Sequence, residues 1–281
     1  MVAGEEVELV AADGMRLAAT RFRPSGPAHA ATLVAGATAV PRGFYRRFAA
    51  HAAAAGLETL TLDYRGTGGS RPASLRGFRM RFADWARLDI PAALDALAGP
   101  RPVHVVGHSY GGSAFGLVPG TERVASLYAF GAGSGWDGWM SPGERLRVRF
   151  LWDVAGPALT ALLGYLPWSR LMSGEDLPTG AFRDWRSWCR HPDFVLGDPA
   201  EPEARAQYAS VRIPVTLATS TDDPWATPRS RDAILAGYTG ATRRAVDIDP
   251  AAHGLDRIGH MGYFRAGAEP LWDDALAALS A

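Results

Sequence analysis

This chain has almost no cysteine. Of its 281 residues one is Cys, at position 189. No intrachain disulfide can form, and the composition points to a reducing compartment. No Cys-x-x-Cys pattern supports a structural zinc site, so no metal is expected. Net charge is lacking too. Lys plus Arg number 29 and Asp plus Glu number 29, which leaves nothing to draw in nucleic acid or an anionic membrane. The basic residues are scattered arginines and read as solvated faces and local ion pairs. Long apolar runs are also missing. The most apolar segment, "VAGPALTALLGYL" from Val154 to Leu166, is too short for a hydrocarbon core of ~30 Å. The opening "MVAGEEVELV" carries acidic residues and no basic region before an apolar stretch, so it does not read as a signal peptide. The expectation is a cytoplasmic protein acting on a small molecule, with no nucleic-acid partner and no membrane span. The composition is open to a homodimer.

What is present is a large apolar fraction, 47% of residues, enough for one large α/β domain or two small ones. "VELVAADGMRLAATRFRP" reads as a hairpin turning at Asp13-Gly14. "ATLVAG" is a short buried strand, and "PRGFYRRFAAHAAAAG" is a helix closed by Gly56. "LETLTLD" is a strand. "RFADWARLDIPAALDALAG" is an amphipathic helix interrupted by Pro91. "VHVVG" and "RVASLYAFGAG" are strands around a short helix, "GSAFGLVP". From about Ser134 to Ala209 the rhythm breaks into apolar helical pieces rich in Trp, Gly and Pro. Alternation returns with "IPVTLATS", "PRSRDAILAGY", "TRRAVDI" and "EPLWDDALAALS". Strands alternating with helices imply an α/β fold with a mostly parallel sheet covered on both faces. The division expected is a core of residues 1–133 and 210–281 with an insertion at 134–209.

Within "VVGHSYGGS", Ser109 follows a strand and lies between Gly107 and Gly111. A serine hydroxyl is a poor nucleophile unless it is exposed, close to a base and near donors for an oxyanion. A tight strand-to-helix turn supplies the exposure and needs small neighbours. It also aims the Tyr110 N–H at the developing charge. An acid and then a histidine should follow along the chain. "TDDPWATP" offers Asp223 at a strand end, with Asp222 adjacent as the alternative and one of the pair expected to cap a turn. "AAHGLDRIGHMGYFR" offers His260 and His253. His260, flanked by glycines, is the better base, and His253 reads as a loop histidine. His29, His51, His104, His108 and His191 are badly placed. The second oxyanion donor should come from "LVAGATAVPRGFY", with Ala37 favoured and Thr38 the alternative.

Together these residues resemble the α/β-hydrolase superfamily. "DYRGTGGS" (63–70) looks like its loop before the second core helix, and "GHSYGG" looks like its nucleophile elbow. More closely, "AGATAVPRGFYRRFA", "DYRGTGGSRP", "GEDLP", "WCRHPDF", "TDDPWATP" and "GHMGYFR" are similar to a bacterial group of predicted α/β-hydrolases. Some of that group are labelled serine-aminopeptidase-like. The label rests on fold and does not carry peptidase activity. The resemblance implies an α/β-hydrolase fold and a helical cap at 134–209. It implies Ser109 as nucleophile, an acid within "TDDPWATP", His260 as base, and no cofactor.

The insertion holds Trp136, Trp139, Trp152, Trp168, Trp185 and Trp188. As a set they are expected both to build its own core and to line an apolar pocket. "GAGSGWDG" contains a literal Gly-x-Gly-x-x-Gly but lacks the helix and distal acidic residue of a dinucleotide site. It reads as the exit into the cap. The leading hypothesis is a serine hydrolase of a small ester, thioester or amide. Lyase or acyl-transfer chemistry in the same pocket, and a non-catalytic binding module, are the rivals.

Overall fold

The computed structural model of the chain describes residues 2–172 and 174–280. Among the described residues ten strands form: β1 (Gly4–Val10), β2 (Arg16–Phe22), β3 (Ala30–Ala35), β4 (Leu57–Leu62), β5 (Val103–His108), β6 (Ser126–Phe130), β7 (Tyr165–Leu166), β8 (Leu177–Pro178), β9 (Val215–Ser220) and β10 (Arg243–Ile248). Eight of them make one sheet in the order β1-β2-β4-β3-β5-β6-β9-β10. The hairpin β1–β2 and the pair β2–β4 run antiparallel, and every other pairing in this sheet is parallel. The hairpin turns where Gly14 takes φ +82°, as the Asp-Gly pair predicts.

Parallel strands need crossover helices, and these cover both faces. The helices are α1 (Arg46–Ala54), α2 (Ile90–Ala96), α3 (Tyr110–Ser113), α4 (Pro142–Phe150), α5 (Gly156–Leu163), α6 (Trp168–Leu171), α7 (Thr179–Trp188), α8 (Ala204–Ser210), α9 (Pro228–Leu235) and α10 (Glu269–Ser280). Successive strand residues feed opposite cores. Val34, Val106 and Ala218 pack with α1 and α10, through Phe48 and Trp272. Leu33, Val105 and Leu217 pack with α2, α9 and the chain between β6 and β9. Every residue of β3, β4 and β5 is buried, whereas the edge strands β1 and β10 are largely exposed.

Two prolines fall inside helical stretches without breaking them. The sequence predicts an interruption at Pro91. Instead a widened π turn, Trp85–Asp89, runs directly into α2. The carbonyl that the Pro91 ring would strike, four residues back at Arg87, lies in that π turn, where the backbone is opened out. The same device recurs at Pro157, where π turn Leu151–Ala155 leads into α5.

The chain between β6 and β9 carries α4 to α8 and the small antiparallel pair β7–β8. Trp152, Trp185 and Trp188 from it belong to the same buried cluster as the underside of the sheet. Among the described residues no helix is long and apolar enough to cross a membrane.

Candidate active site

The site lies at the carboxyl end of the central strands, where open α/β sheets bind ligands. Strand β5 ends at His108, and α3 begins at Tyr110. Ser109 between them takes φ +50° and ψ −110°, a conformation that L-residues avoid. Its N–H donates to Phe130 O on β6 at 2.9 Å. The flanking glycines are sterically required. A Cβ on Gly111 would stand 2.0 Å from Ala35 O, and one on Gly107 would stand 2.7 Å from Gly112 N. The close approach of α3 to β3 and β5 therefore forces the Gly-x-Ser-x-Gly spacing.

Ser109 Oγ is 3.0 Å from His260 Nε2, and His260 Nδ1 is 2.9 Å from Asp223 Oδ2. A carboxylate only accepts, so Nδ1 carries the proton and Nε2 is free to accept from the serine hydroxyl. The Asp223 side chain is fully buried and that of His260 is one-fifth exposed. Burial alone would raise the Asp223 pKa. The adjacent imidazole and the N–H groups of Trp225 and Ala226, each 2.9 Å from Oδ1, outweigh it, and the carboxyl sits below its ordinary value.

Asp222 does a different job. Its carboxylate accepts from Gly259 N at 2.8 Å, Ile258 N at 3.0 Å and Ser220 Oγ at 2.6 Å. It ties the loop before His260 to the end of β9. His253 lies elsewhere, bonded to Asp274 and to Asp249 O, and does not line the cavity at Ser109.

Three side chains that the sequence did not single out complete the polar network. Tyr263, three residues after His260, donates to Asp223 Oδ2 at 3.0 Å and accepts from Ser220 N at 2.8 Å. Its position in "GHMGYFR" was the available signal. His108 and Tyr45 are both buried. His108 Nε2 faces His260 O at 2.9 Å, which only accepts, so Nε2 carries the proton. Nδ1 then accepts from the Tyr45 hydroxyl at 3.0 Å, and Tyr45 Oη accepts from the Ala37 N–H at 2.7 Å. Burial depresses His108 to about 3 and keeps this imidazole neutral. One chain of hydrogen bonds thus joins the loop after β3 to the backbone of His260.

The Ala37 N–H is therefore already engaged. The N–H groups of Thr38 and Tyr110 have no hydrogen-bond partner among the described residues. Asp63 fastens the same loop region, accepting from Arg42 N at 2.6 Å, from Gly69 N at 2.8 Å and from the Arg42 guanidinium. Arg65 of "DYRGTGGS" holds buried Asp89 through Nε at 2.7 Å.

A cavity of about 540 Å³ opens over Ser109. Trp168, Met172, Trp185 and Phe194 line it from the chain between β6 and β9, and Trp225, which stacks on Trp185 at 6.1 Å, and Ile258 line it from the loops after β9 and β10. Trp152 and Trp188 are buried behind, against Trp185 and Phe194 respectively. Trp136 and Trp139 pack edge to face with each other at 5.1 Å. Cys189 also lines the cavity, where burial pushes its thiol well up and keeps it protonated. Gly133 and Gly135 of the literal Gly-x-Gly-x-x-Gly line it too, but the motif runs into a three-residue turn, Asp137–Trp139, and α4 starts only at Pro142. Among the described residues no three His, Cys, Asp or Glu side chains gather as a metal site would require.

Comparison with known proteins agrees with this architecture. No curated protein matches the sequence. Among solved structures, a soluble variant of monoglyceride lipase from Saccharomyces cerevisiae is similar with TM-score 0.68 and 13% identity, over 100% of this chain and 94% of that one. The esterase domain of a Rhodothermus marinus protein gives 0.60 and 18%, over 98% and 97%. The thioesterase domain from the curacin biosynthetic pathway gives 0.60 and 15%, over 99% and 100%. At these identities the likeness concerns the fold. The profile of the Alpha/beta hydrolase family matches residues 33–269, and the chain belongs to that family.

Proposed function

We propose that the protein is a serine hydrolase that cleaves a small carboxylic ester, with thioesters and small amides as related substrates. The observation that carries this reading is the continuous line Ser109 Oγ, His260 Nε2, His260 Nδ1, Asp223, with contacts of 3.0 and 2.9 Å. In the first step Ser109 Oγ attacks the substrate carbonyl carbon while His260 Nε2 takes the hydroxyl proton. Asp223 holds the imidazole in the required tautomer and stabilises the imidazolium. The oxyanion is met by the Tyr110 N–H and by the unpartnered Thr38 N–H, in place of the Ala37 N–H that the sequence favours and that is given to Tyr45. Collapse of the tetrahedral intermediate expels the alcohol, protonated by His260, and leaves an acyl group on Ser109. Water activated by the same imidazole then releases the acid.

The segment 134–209 acts in this reading as a cap whose aromatic side chains receive the acyl group. A p-nitrophenyl acyl ester series of varied chain length, run beside aminoacyl-anilides with wild type and Ser109→Ala, tests the assignment. Serine-dependent ester turnover supports it. Turnover unchanged in a folded Ser109→Ala variant overturns it.

A further inference from the structure

The cavity over Ser109 is not electrically neutral. Its lining contains two arginines, Arg257 and Arg265, and no aspartate or glutamate. Both are exposed, and neither makes an ion pair among the described residues. The nearby carboxylates are otherwise arranged. Asp223 is buried against His260. Arg257 is within electrostatic reach of Asp222, whose oxygens accept from Ser220, Ile258 and Gly259 and which makes no ion pair with it. Asp256 and Glu269, close in sequence, lie outside the lining. Elsewhere the arginines are commonly paired, as Arg65 is with Asp13 and Asp89, and Arg81 with Asp184 and Glu201.

Both cations belong to the stretch of chain that carries His260. Arg257 lies over Gly259, with Nε 3.6 Å from where a Cβ of that residue would be, and Gly259 immediately precedes His260. Arg265 follows His260 on the same loop. The aromatic wall of Trp168, Trp185 and Phe194 comes from the chain between β6 and β9. An acyl-transfer site distinguishes these sides chemically. The group that protonates the leaving atom must sit beside it, so the leaving group departs on the imidazole side. The acyl chain occupies the remainder of the cavity.

Resting on the hydrolase reading above, we infer that the leaving alcohol or thiol carries an anionic group, a carboxylate or phosphate, that Arg257 and Arg265 receive, while the acyl part is apolar. In the step concerned, the bond between the carbonyl carbon and the leaving oxygen or sulfur breaks. The electron pair stays with that atom, which gains the proton that His260 took from Ser109. The acyl group remains on Ser109 Oγ, and the anionic product leaves past the two guanidinium groups.

The test uses one acyl group, hexanoyl, on two chromogenic leaving groups that differ in charge: 4-hydroxy-3-nitrobenzoate and its neutral carboxamide. Wild type should favour the anionic ester by roughly tenfold in kcat/KM at low ionic strength, as two exposed charge contacts allow. The preference should shrink with added salt, since exposed pairs are screened over ~8 Å at physiological ionic strength. In the double variant Arg257→Gln/Arg265→Gln the ratio should fall to about one, and Arg257→Glu/Arg265→Glu should reverse it. A phosphorylated leaving group of the same length separates a phosphate preference from a carboxylate one. Fluorophosphonate labelling of Ser109, measured alongside, reads the chemistry separately. Labelling with equal turnover of both esters overturns the substrate inference and leaves the hydrolase reading standing. No labelling and no turnover overturns both.

Discussion

The two walls of the cavity are built by different physics. The wall that holds Ser109, Asp223 and His260 is made of strand ends and tight loops, and hydrogen bonds specify it. Asp223 alone accepts from His260, Tyr263, Trp225 N and Ala226 N. The opposite wall, between β6 and β9, is made of packed aromatic rings. Trp185 sits 4.6 Å from Trp152 and 5.3 Å from Trp168, centroid to centroid. Buried Trp152 and Trp188 leave their indole N–H groups without partners among the described residues, and Leu146 and Leu162 are each 72% exposed. Directional bonds fix a reacting atom to fractions of an ångström, whereas aromatic packing fixes a volume. On the proposed function, the first wall carries out the chemistry and the second chooses what enters.

If that division holds, substitutions on the first wall should cost rate and those on the second should change selectivity. The largest effect is expected at the serine and its base. Ser109→Ala and His260→Ala should each lower kcat by ~10⁶, the scale for losing a triad member that acts as a unit. His253→Ala should turn over the same ester at near the wild-type rate, because His253 is tied to Asp274 and Asp249 outside the cavity. Loss of activity in His253→Ala alone would move the base.

The two adjacent aspartates come next. Asp223→Asn should cost up to ~10⁴ in kcat, since the imidazole loses its tautomer partner. Asp222→Asn should cost far less and act through the loop that carries His260, showing first as reduced thermal stability. The reverse order would exchange their roles.

Smaller changes are expected on the aromatic wall. Removing apolar surface from water contributes ~25 cal/mol per Å². With wild type, kcat/KM should therefore rise a few-fold per added methylene until the cavity of about 540 Å³ is full. Trp185→Ala should shift the optimum to longer acyl chains while kcat for the best substrate changes little. A drop in kcat across the whole series, with no shift in the optimum, would merge the two walls into one functional unit.

The smallest effect on activity concerns pH. His108 is depressed from 6.5 to about 3 by burial, so the unfolded chain binds its proton more readily than the folded one. Stability from this group is complete above pH 6.5 and is lost as pH falls toward 3. His108→Gln should lower Tm at pH 7 and flatten its decline between those limits. An equally steep decline would assign the acid sensitivity to other groups.

Much of the first wall was legible in the sequence because its determinants are local. Gly107 and Gly111 are fixed by backbone approach, Asp223 stands in the loop just after β9, and His260 stands between glycines in the loop that precedes the terminal helix. The strand–helix alternation gave the sheet in the same way. What could not be read depends on residues far apart in the chain. Tyr45 meets His108 across 63 positions, and nothing in the periodicity of either segment signals the contact. Tyr45 is also why the Ala37 N–H is already engaged. The interruption expected at Pro91 does not occur, because propensity records its clash with a regular helix and not the π turn that relieves it. The aromatic wall was legible as a composition. Which tryptophans face the cavity, Trp168 and Trp185, and which lie behind it, Trp152 and Trp188, is decided by how α5 to α7 pack.

The central claim is that Ser109 is a nucleophile activated by His260. The most direct measurement is covalent labelling with a fluorophosphonate, followed by intact-mass and peptide mapping. A single adduct on Ser109 in the wild type, greatly slowed in His260→Ala and absent in Ser109→Ala, is the predicted result. An adduct on another residue, or labelling of Ser109→Ala at the wild-type rate, would contradict it.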